Sequence, residues 1–189
     1  MKKVGILGGT FDPPHIGHAI IANEVLSALQ LDEVRFMPNH TPPHKQKTEG
    51  VSNDERVEML KLTIQDQPKF KMELRELENP GASYTYNTMK DIVEEEPDTK
   101  FYFIIGADMI EYLPKWHRID ELVELVQFVG VERPPYKTTT KYPLIMVDVP
   151  NIYLSSSIIR RKVGKGASIK YLVAPAVEKY IEENSLYET

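Results

Sequence analysis

Apolar residues fall in short runs separated by polar, periodically patterned stretches, and the two kinds of segment alternate as strands and helices do in an α/β chain. Val4, Ile6 and Leu7 form the first run and read as a buried strand. It breaks at Gly8-Gly9. A helical pattern then starts near Ile16, with Ala19, Ile20, Leu26 and Leu29 recurring at helical spacing to about Gln30, and this apolar face is expected to pack on a sheet. Glu33 to Pro38 sets Val34 and Phe36 against Arg35 and Met37, the alternation of a second strand. Two strands joined by a helix make a βαβ unit. Its right-handed crossover directs the loops after both strands to one edge, where open α/β sheets bind ligands.

The remaining pattern continues the alternation. Ser52-Asn53-Asp54-Glu55 is a capping box opening a helix with Val57, Leu60 and Ile64 on one face, read as scaffold. Phe70 to Leu77 reads as a third strand ended by Asn79-Pro80-Gly81, and Ser83 to Tyr86 opens a helix through Met89, Ile92 and Val93 that closes before Pro97. Phe101 to Ile105, the most apolar run, predicts a central strand stopping at Gly106-Ala107-Asp108. A helix over His117 to Leu125 precedes strands at Phe128 to Val131 and Leu144 to Val149. Helices then begin at Ser155-Ser156-Ser157 and at Ala174-Pro175, the last running to about Asn184. No repeat, low-complexity tract or linker interrupts residues 1–189, so one α/β domain with a parallel sheet is expected.

Composition narrows the chemistry. A net charge of −5 provides no global basic field to recruit nucleic acid, so any phosphate compound must be held by a local cluster. The absence of cysteine excludes disulfides, thiolate catalysis and cysteine-ligated metal centres. No run approaches a membrane span and no cleavable leader precedes the first strand, which places the chain in the cytoplasm as an expectation, with no membrane partner.

The candidate chemistry gathers in the predicted turns. Gly8 and Gly9 lack Cβ atoms, so phosphates could approach the backbone before a helix start whose N–H groups favour negative charge. Thr10 and Asp12 share that turn, and His15 and His18, three apart, share one face over the same anion. After the second strand, Lys45 is either a ligand for a substrate phosphate or a solvated surface lysine. At the helix opened by residues 83–86, free N–H groups suit a carboxylate or phosphate, while Ser83 or Thr85 could equally cap it. Asp108 is placed to accept ribose hydroxyls or to cap a helix, and Met109, Tyr112 and Trp116 form either an aromatic wall for a planar ring or ordinary core. His117 is expected to be exposed, and Arg133 lies in a polar loop where it could touch a nucleotide. Ser155 to Ser157 with Arg160 a turn later make a second anion site, or a multiply capped surface helix.

Gly8-Gly9-Thr10-Phe11-Asp12-Pro13-Pro14-His15-Ile16-Gly17-His18 together with Ser155-Ser156-Ser157-Ile158-Ile159-Arg160 resembles the nucleotidylyltransferase superfamily with its H-x-G-H and S-S-x-x-I-R motifs. Thr41 to Lys45, Ser83-Tyr84-Thr85, Gly106-Ala107-Asp108 and Leu113-Pro114-Lys115-Trp116 extend the resemblance over essentially the whole chain, to the bacterial nicotinate mononucleotide adenylyltransferase family. The resemblance implies a Rossmann-like parallel sheet with helices on both faces. It also implies adenylyl transfer from ATP to nicotinate mononucleotide, with Mg²⁺ accompanying ATP, and a homodimer. By it, His15, His18 and Arg160 would be catalytic. The ATP site would comprise Gly8, Gly9, Thr10, Phe11, His15, His18, Ile105, Gly106, Asp108, Arg133, Ser156, Ser157 and Arg160. Asn39, Lys45, Thr85, Met109, Tyr112 and Trp116 would bind the mononucleotide. The late loop departs from the family's common Arg-Pro-Gly-Tyr, reading Arg133-Pro134-Pro135-Tyr136.

The chemistry of that reaction suits these residue types. A mononucleotide phosphate is already ionised, so attack on the α-phosphorus of ATP requires positioning and charge stabilisation rather than a serine or cysteine nucleophile. Rival readings are an adenylyltransferase for nicotinamide mononucleotide or phosphopantetheine, or a non-catalytic regulator in which Asp12, His15 and His18 ligate a metal.

Overall fold

The computed structural model describes residues 1–40, 51–79, 84–131 and 139–188. Strands β1 (Lys2–Gly9) and β2 (Glu33–Pro38) flank helix α1 (Ile16–Ala28), and α2 (Asn53–Ile64), β3 (Phe70–Met72), α3 (Arg75–Glu78) and α4 (Thr85–Glu95) lead to β4 (Thr99–Gly106). The second half contributes α5 (Ala107–Ile110), a 3₁₀ turn at Leu113–Lys115, α6 (Ile119–Leu125), β5 (Gln127–Val131), β6 (Leu144–Val147), α7 (Ser156–Val163) and α8 (Pro175–Glu183). All six strands run parallel in the order β3-β2-β1-β4-β5-β6. The order reverses between β1 and β4. At such a switch point the connections leave in opposite directions, and a crevice opens at the carboxyl ends of the two strands.

The sheet is buried on both faces because its central strands are apolar at odd and even positions alike. Val4, Ile6, Phe101, Phe103 and Ile105 pack with Met89 and Ile92 of α4 and Leu122 of α6. Leu7, Tyr102, Ile104 and Val129 face the other way, against Ala22, Val25 and Leu26 of α1 and Leu60 and Ile64 of α2. Each fully buried Leu, Ile or Phe contributes roughly 1.5–3 kcal/mol relative to exposure, so these two layers dominate what holds the sheet. A third cluster joins Leu154, Ile159, Val173, Val177, Ile181 and Leu186 to Met59 of α2, docking the C-terminal helices beside the same sheet edge. Among the described residues no helix is long and apolar enough to cross a membrane.

Several elements differ from the sequence pattern. β1 continues through Gly8 and Gly9, paired with Met37 and Pro38, because parallel neighbours hold even a glycine in the ladder. The third strand stops at Met72, not Leu77. Beyond it Leu74 takes φ −99° and ψ 1°, and Leu77 N–H bonds back to Leu74 in a short helical turn. The alternation of Phe70, Met72 and Leu74 is therefore strand only in its first half. The fully buried positions of α1 include Ala22, Val25 and Leu26, whereas Ile16 and Ile20 are half-buried. β6 ends at Val147, and α6 begins at Ile119 after Arg118 in a left-handed conformation at φ 51°.

Candidate active site

The loop from Thr10 to Pro14 leaves β1 at the switch point and enters α1 at His15. Phe11 sits at φ 51° and Asp12-Pro13 is a cis peptide. The Phe11 ring lies back over the strand, where a Cβ on Gly9 would lie 3.1 Å from it. A side chain at Gly9 would therefore crowd the Phe11 ring, so glycine is what lets the ring lie there. His15 is the N-cap of α1, buried, and its N–H donates to His18 Nδ1 at 3.1 Å. That acceptor role leaves the neutral His18 ring to carry its proton on Nε2, as a donor. The two rings stack at 3.7 Å and 25°, with the Phe11 ring against the His18 ring at 4.9 Å.

The motif at the other end of the chain closes on this loop. Ser155 caps α7 by accepting from Ile158 N–H, which leaves the next two hydroxyls for other partners. Ser156 Oγ donates to the Pro13 carbonyl at 2.8 Å, and Arg160 Nη1 donates to the Asp12 carbonyl at 2.7 Å, while its Nη2 reaches Ser157 Oγ at 3.3 Å. Two candidate anion sites, remote in sequence, thereby share one wall.

Behind the loop stands Arg56, on the helix α2 expected to be scaffold and not itself singled out from the sequence. It is 2% exposed and donates to Thr10 O at 2.5 Å, Asn39 O at 2.8 Å and Asn53 Oδ1 at 2.7 Å. Burial lowers its pKa, with Asp12 opposing that shift. A buried guanidinium forking onto two backbone carbonyls ties the loop after β1 to the loop after β2. The signal was available: Arg56, Leu60 and Ile64 recur every four residues, so the arginine lies on the apolar face. Tyr187, whose hydroxyl donates to Asp12 Oδ1, carried no such signal.

At the end of β4, Gly106 is the N-cap of α5 and Asp108 stands in the first turn, so Asp108 is not the cap. A Cβ on Gly106 would lie 2.6 Å from Asp108 Oδ1, so only glycine leaves that carboxylate its place. Ile105 is buried in the core beneath. Met109 and Tyr112 are exposed, whereas Trp116 packs edge-on against Phe103 and Phe128 at 5.9 and 6.0 Å. Of the three residues expected to form a wall, two are open side chains and the indole is half-buried and anchored in the core. Thr85 opens α4 but does not cap it; Tyr84 is the N-cap and makes no side-chain cap bond, which leaves the helix N–H groups to other acceptors. Tyr84 also stacks on exposed His117 at 4.2 Å. Asn39 N–H bonds Gly9 O at 2.9 Å, and its buried Oδ1 has no partner among the described residues. Lys45, Ser83 and Arg133 lie outside the described residues.

Comparison with known proteins places this geometry in context. Residues 6–162 match the family described as cytidylyltransferase-like. A Bacillus subtilis nicotinate-nucleotide adenylyltransferase is 53% identical over the full length of both chains. A Geobacillus thermodenitrificans protein described as a probable nicotinate-nucleotide adenylyltransferase is 56% identical over 187 residues, covering 99% of this chain and 87% of its own. The solved structure of Plasmodium falciparum nicotinic acid mononucleotide adenylyltransferase complexed with NaAD aligns with a TM-score of 0.82 at 26% identity, covering 99% of this chain and 98% of that one.

Proposed function

Since this chain belongs to the cytidylyltransferase-like family and, within it, to the nicotinate-nucleotide adenylyltransferases, we propose how its residues share the transfer of an adenylyl group from ATP to nicotinate mononucleotide. The products are nicotinate adenine dinucleotide and pyrophosphate. The observation that supports this division most directly is the meeting of Arg160 and Ser156 with the Asp12-Pro13 carbonyls beside the stacked histidines.

In this reading a phosphate oxygen of the mononucleotide attacks the α-phosphorus of ATP in line. The bond to the departing pyrophosphate breaks, and the electron pair leaves on its oxygen. No proton has to be removed from the nucleophile, so the protein's task is to hold both reactants and stabilise oxygen charge. His18 Nε2–H, His15 and the Arg160 guanidinium act on the phosphoryl oxygens, and the backbone of Gly8, Gly9, Thr10 and Phe11 lines the approach. Ser156 and Ser157, at the start of α7, add hydroxyl and N–H donors toward the pyrophosphate. Ile105, Gly106 and Asp108 hold the adenosine, with Asp108 accepting from ribose hydroxyls, and Arg133 adds a nucleotide contact. Asn39 and Lys45 serve the mononucleotide. The uncapped start of α4 at Thr85 takes the pyridine carboxylate, with Met109, Tyr112 and Trp116 around the ring.

The donor set around the triphosphate is made of imidazoles, a guanidinium, hydroxyls and N–H groups, which suits phosphate oxygens rather than a hard cation. Mg²⁺ therefore enters with ATP as its oxygen-bound complex, neutralising phosphoryl charge. A cytoplasmic homodimer belongs to the same proposal, read by sedimentation as twice the 21.7 kDa chain mass.

Pyrophosphate release from Mg²⁺–ATP is measured with nicotinate mononucleotide, nicotinamide mononucleotide and phosphopantetheine, for the wild type and for His18→Ala. The acid mononucleotide is expected to give the highest kcat/KM. His18→Ala is expected to lower kcat by about 10²–10³, as for loss of one preorganised charge-stabilising donor, and to lower the melting temperature by only a few degrees through loss of the acceptor for the His15 N–H. A correctly folded His18→Ala variant with unchanged kcat would refute the role of His18. Faster turnover of either rival acceptor would reassign the substrate.

A further inference from the structure

Beyond α8 the chain turns back toward the loop that follows β1. Ser185 and Tyr187 take left-handed conformations at φ 50° and 62°, and Leu186 between them is buried in the C-terminal cluster. This turn brings the Tyr187 hydroxyl to Asp12 Oδ1, to which it donates at 2.5 Å. Burial first, and then the adjacent Asp12 carboxylate, push the phenol up from its ordinary range, so the hydroxyl stays a donor at any physiological pH.

Asp12 offers two different acceptors to its neighbours, and its charge also acts on Arg56. Its carbonyl accepts from Arg160 Nη1 at 2.7 Å, whereas its carboxylate accepts from Tyr187. A carboxylate one residue's reach from a guanidinium favours a bidentate ion pair with it. Such a pair would occupy the N–H groups of Arg160 and cancel the charge that a polyphosphate needs.

We propose that Tyr187 is a positioning residue for Arg160: by holding the Asp12 carboxylate on its own side, it keeps the guanidinium available to the phosphates of ATP. This inference rests on the reading of Arg160 as a triphosphate ligand. The C-terminal turn thus tunes the nucleotide site without touching substrate. It acts on the ATP half alone, because the elements beside the pyridine ring, α4, α5 and the 3₁₀ turn, belong to the opposite face of the sheet.

Steady-state kinetics of Tyr187→Phe, Asp12→Asn, the double variant and Arg160→Ala test it. Tyr187→Phe keeps the ring and removes the hydroxyl. It is expected to raise KM for ATP about tenfold, the scale of one hydrogen bond to a charged group. KM for nicotinate mononucleotide should stay unchanged. Adding Asp12→Asn to Tyr187→Phe is expected to bring KM for ATP back toward that of Asp12→Asn alone, because an amide cannot form the competing ion pair. A purely structural role would move both KM values together with the melting temperature and would show no such rescue. KM for ATP within twofold of wild type in Tyr187→Phe, an equal rise for both substrates, or a rise that Asp12→Asn does not relieve would each overturn the inference. An Arg160→Ala variant with normal KM for ATP would bring down the inference together with the reading of the site. A large Arg160→Ala effect beside an unaltered Tyr187→Phe would sink the inference alone.

Discussion

Replacing Arg56 by methionine tests whether a buried cation holds the two loops of the site in register. The side chain makes hydrogen bonds of 2.5, 2.8 and 2.7 Å to Thr10 O, Asn39 O and Asn53 Oδ1. Methionine preserves most of the volume, so cavity formation is a small part of the change. Two effects oppose. Removing the charge relieves the desolvation that already lowers the Arg56 pKa, an effect of several kcal/mol per buried ion. Against that, hydrogen bonds from a charged group contribute about 1.5–3 kcal/mol each, and the carbonyls of Thr10 and Asn39, in half-buried residues, would lose this donor. The balance is a loss of roughly 2–4 kcal/mol, dominated by the stranded carbonyls. For a chain of this size that corresponds to a melting temperature lower by roughly 5–15 °C. Urea denaturation reads the loss as a lower midpoint at unchanged slope. Arg56→Lys should fall between, since one ammonium cannot reach three acceptors on separate elements. With Thr10 proposed on the nucleotide side and Asn39 on the mononucleotide side, both KM values should rise in Arg56→Met. A variant that melts within about 2 °C of wild type, below the shift expected for 1 kcal/mol, would refute the view that Arg56 clamps these loops.

Glu76 is buried, and desolvation raises its pKa from 4.5 to about 7, partly opposed by a hydrogen bond with Thr88. Between those values the folded protein holds a proton that the unfolded chain has released, so this group's contribution is complete at low pH and is lost as pH rises toward and through about 7. Glu76→Gln should remove that slope and gain as much as about 3 kcal/mol over wild type at pH 8; parallel stability–pH curves for the two proteins would contradict it. Gly106→Ala would bring a Cβ to 2.6 Å from Asp108 Oδ1 and displace that carboxylate. At a φ of −71° alanine carries no backbone strain, so KM for ATP should rise about tenfold, the scale of a lost charged hydrogen bond, with little change in melting temperature. An unchanged KM would mean that Asp108 does not bind the nucleotide.

Most of the architecture was legible because strand and helix periods are written locally. The apolar run at Phe101 to Ile105 marks the central strand, and the Ser52 capping box marks the start of α2 to the residue. Legibility failed where neighbours outweighed local preference. Phe70 to Leu77 carries a strand-like alternation, yet only Phe70 to Met72 has β2 to pair with, and the rest coils into α3. Gly8 and Gly9 suggested a turn, but pairing with Met37 and Pro38 keeps them in the sheet.

The candidate site divides along the same line. His15 and His18 could be placed together from their spacing alone, since three residues at a helix start share a face, and the order of the motifs along the chain carried the family. The contacts of Arg160 with the Asp12 carbonyl and of Ser156 with the Pro13 carbonyl could not, because a hydrogen bond between residues more than 140 apart leaves no local period to read. Arg56 stood visibly on the apolar face of its helix, but its purpose depended on which carbonyls the fold delivered to it. Tyr187 depended wholly on the turn after α8. Periodicities spanning a few residues were enough for most strands and helices and for the residue types at the sheet's carboxyl edge. The tertiary structure alone decided which of those groups meet, because only the closed fold sets backbone carbonyls and side chains from opposite ends of the chain within hydrogen-bonding distance.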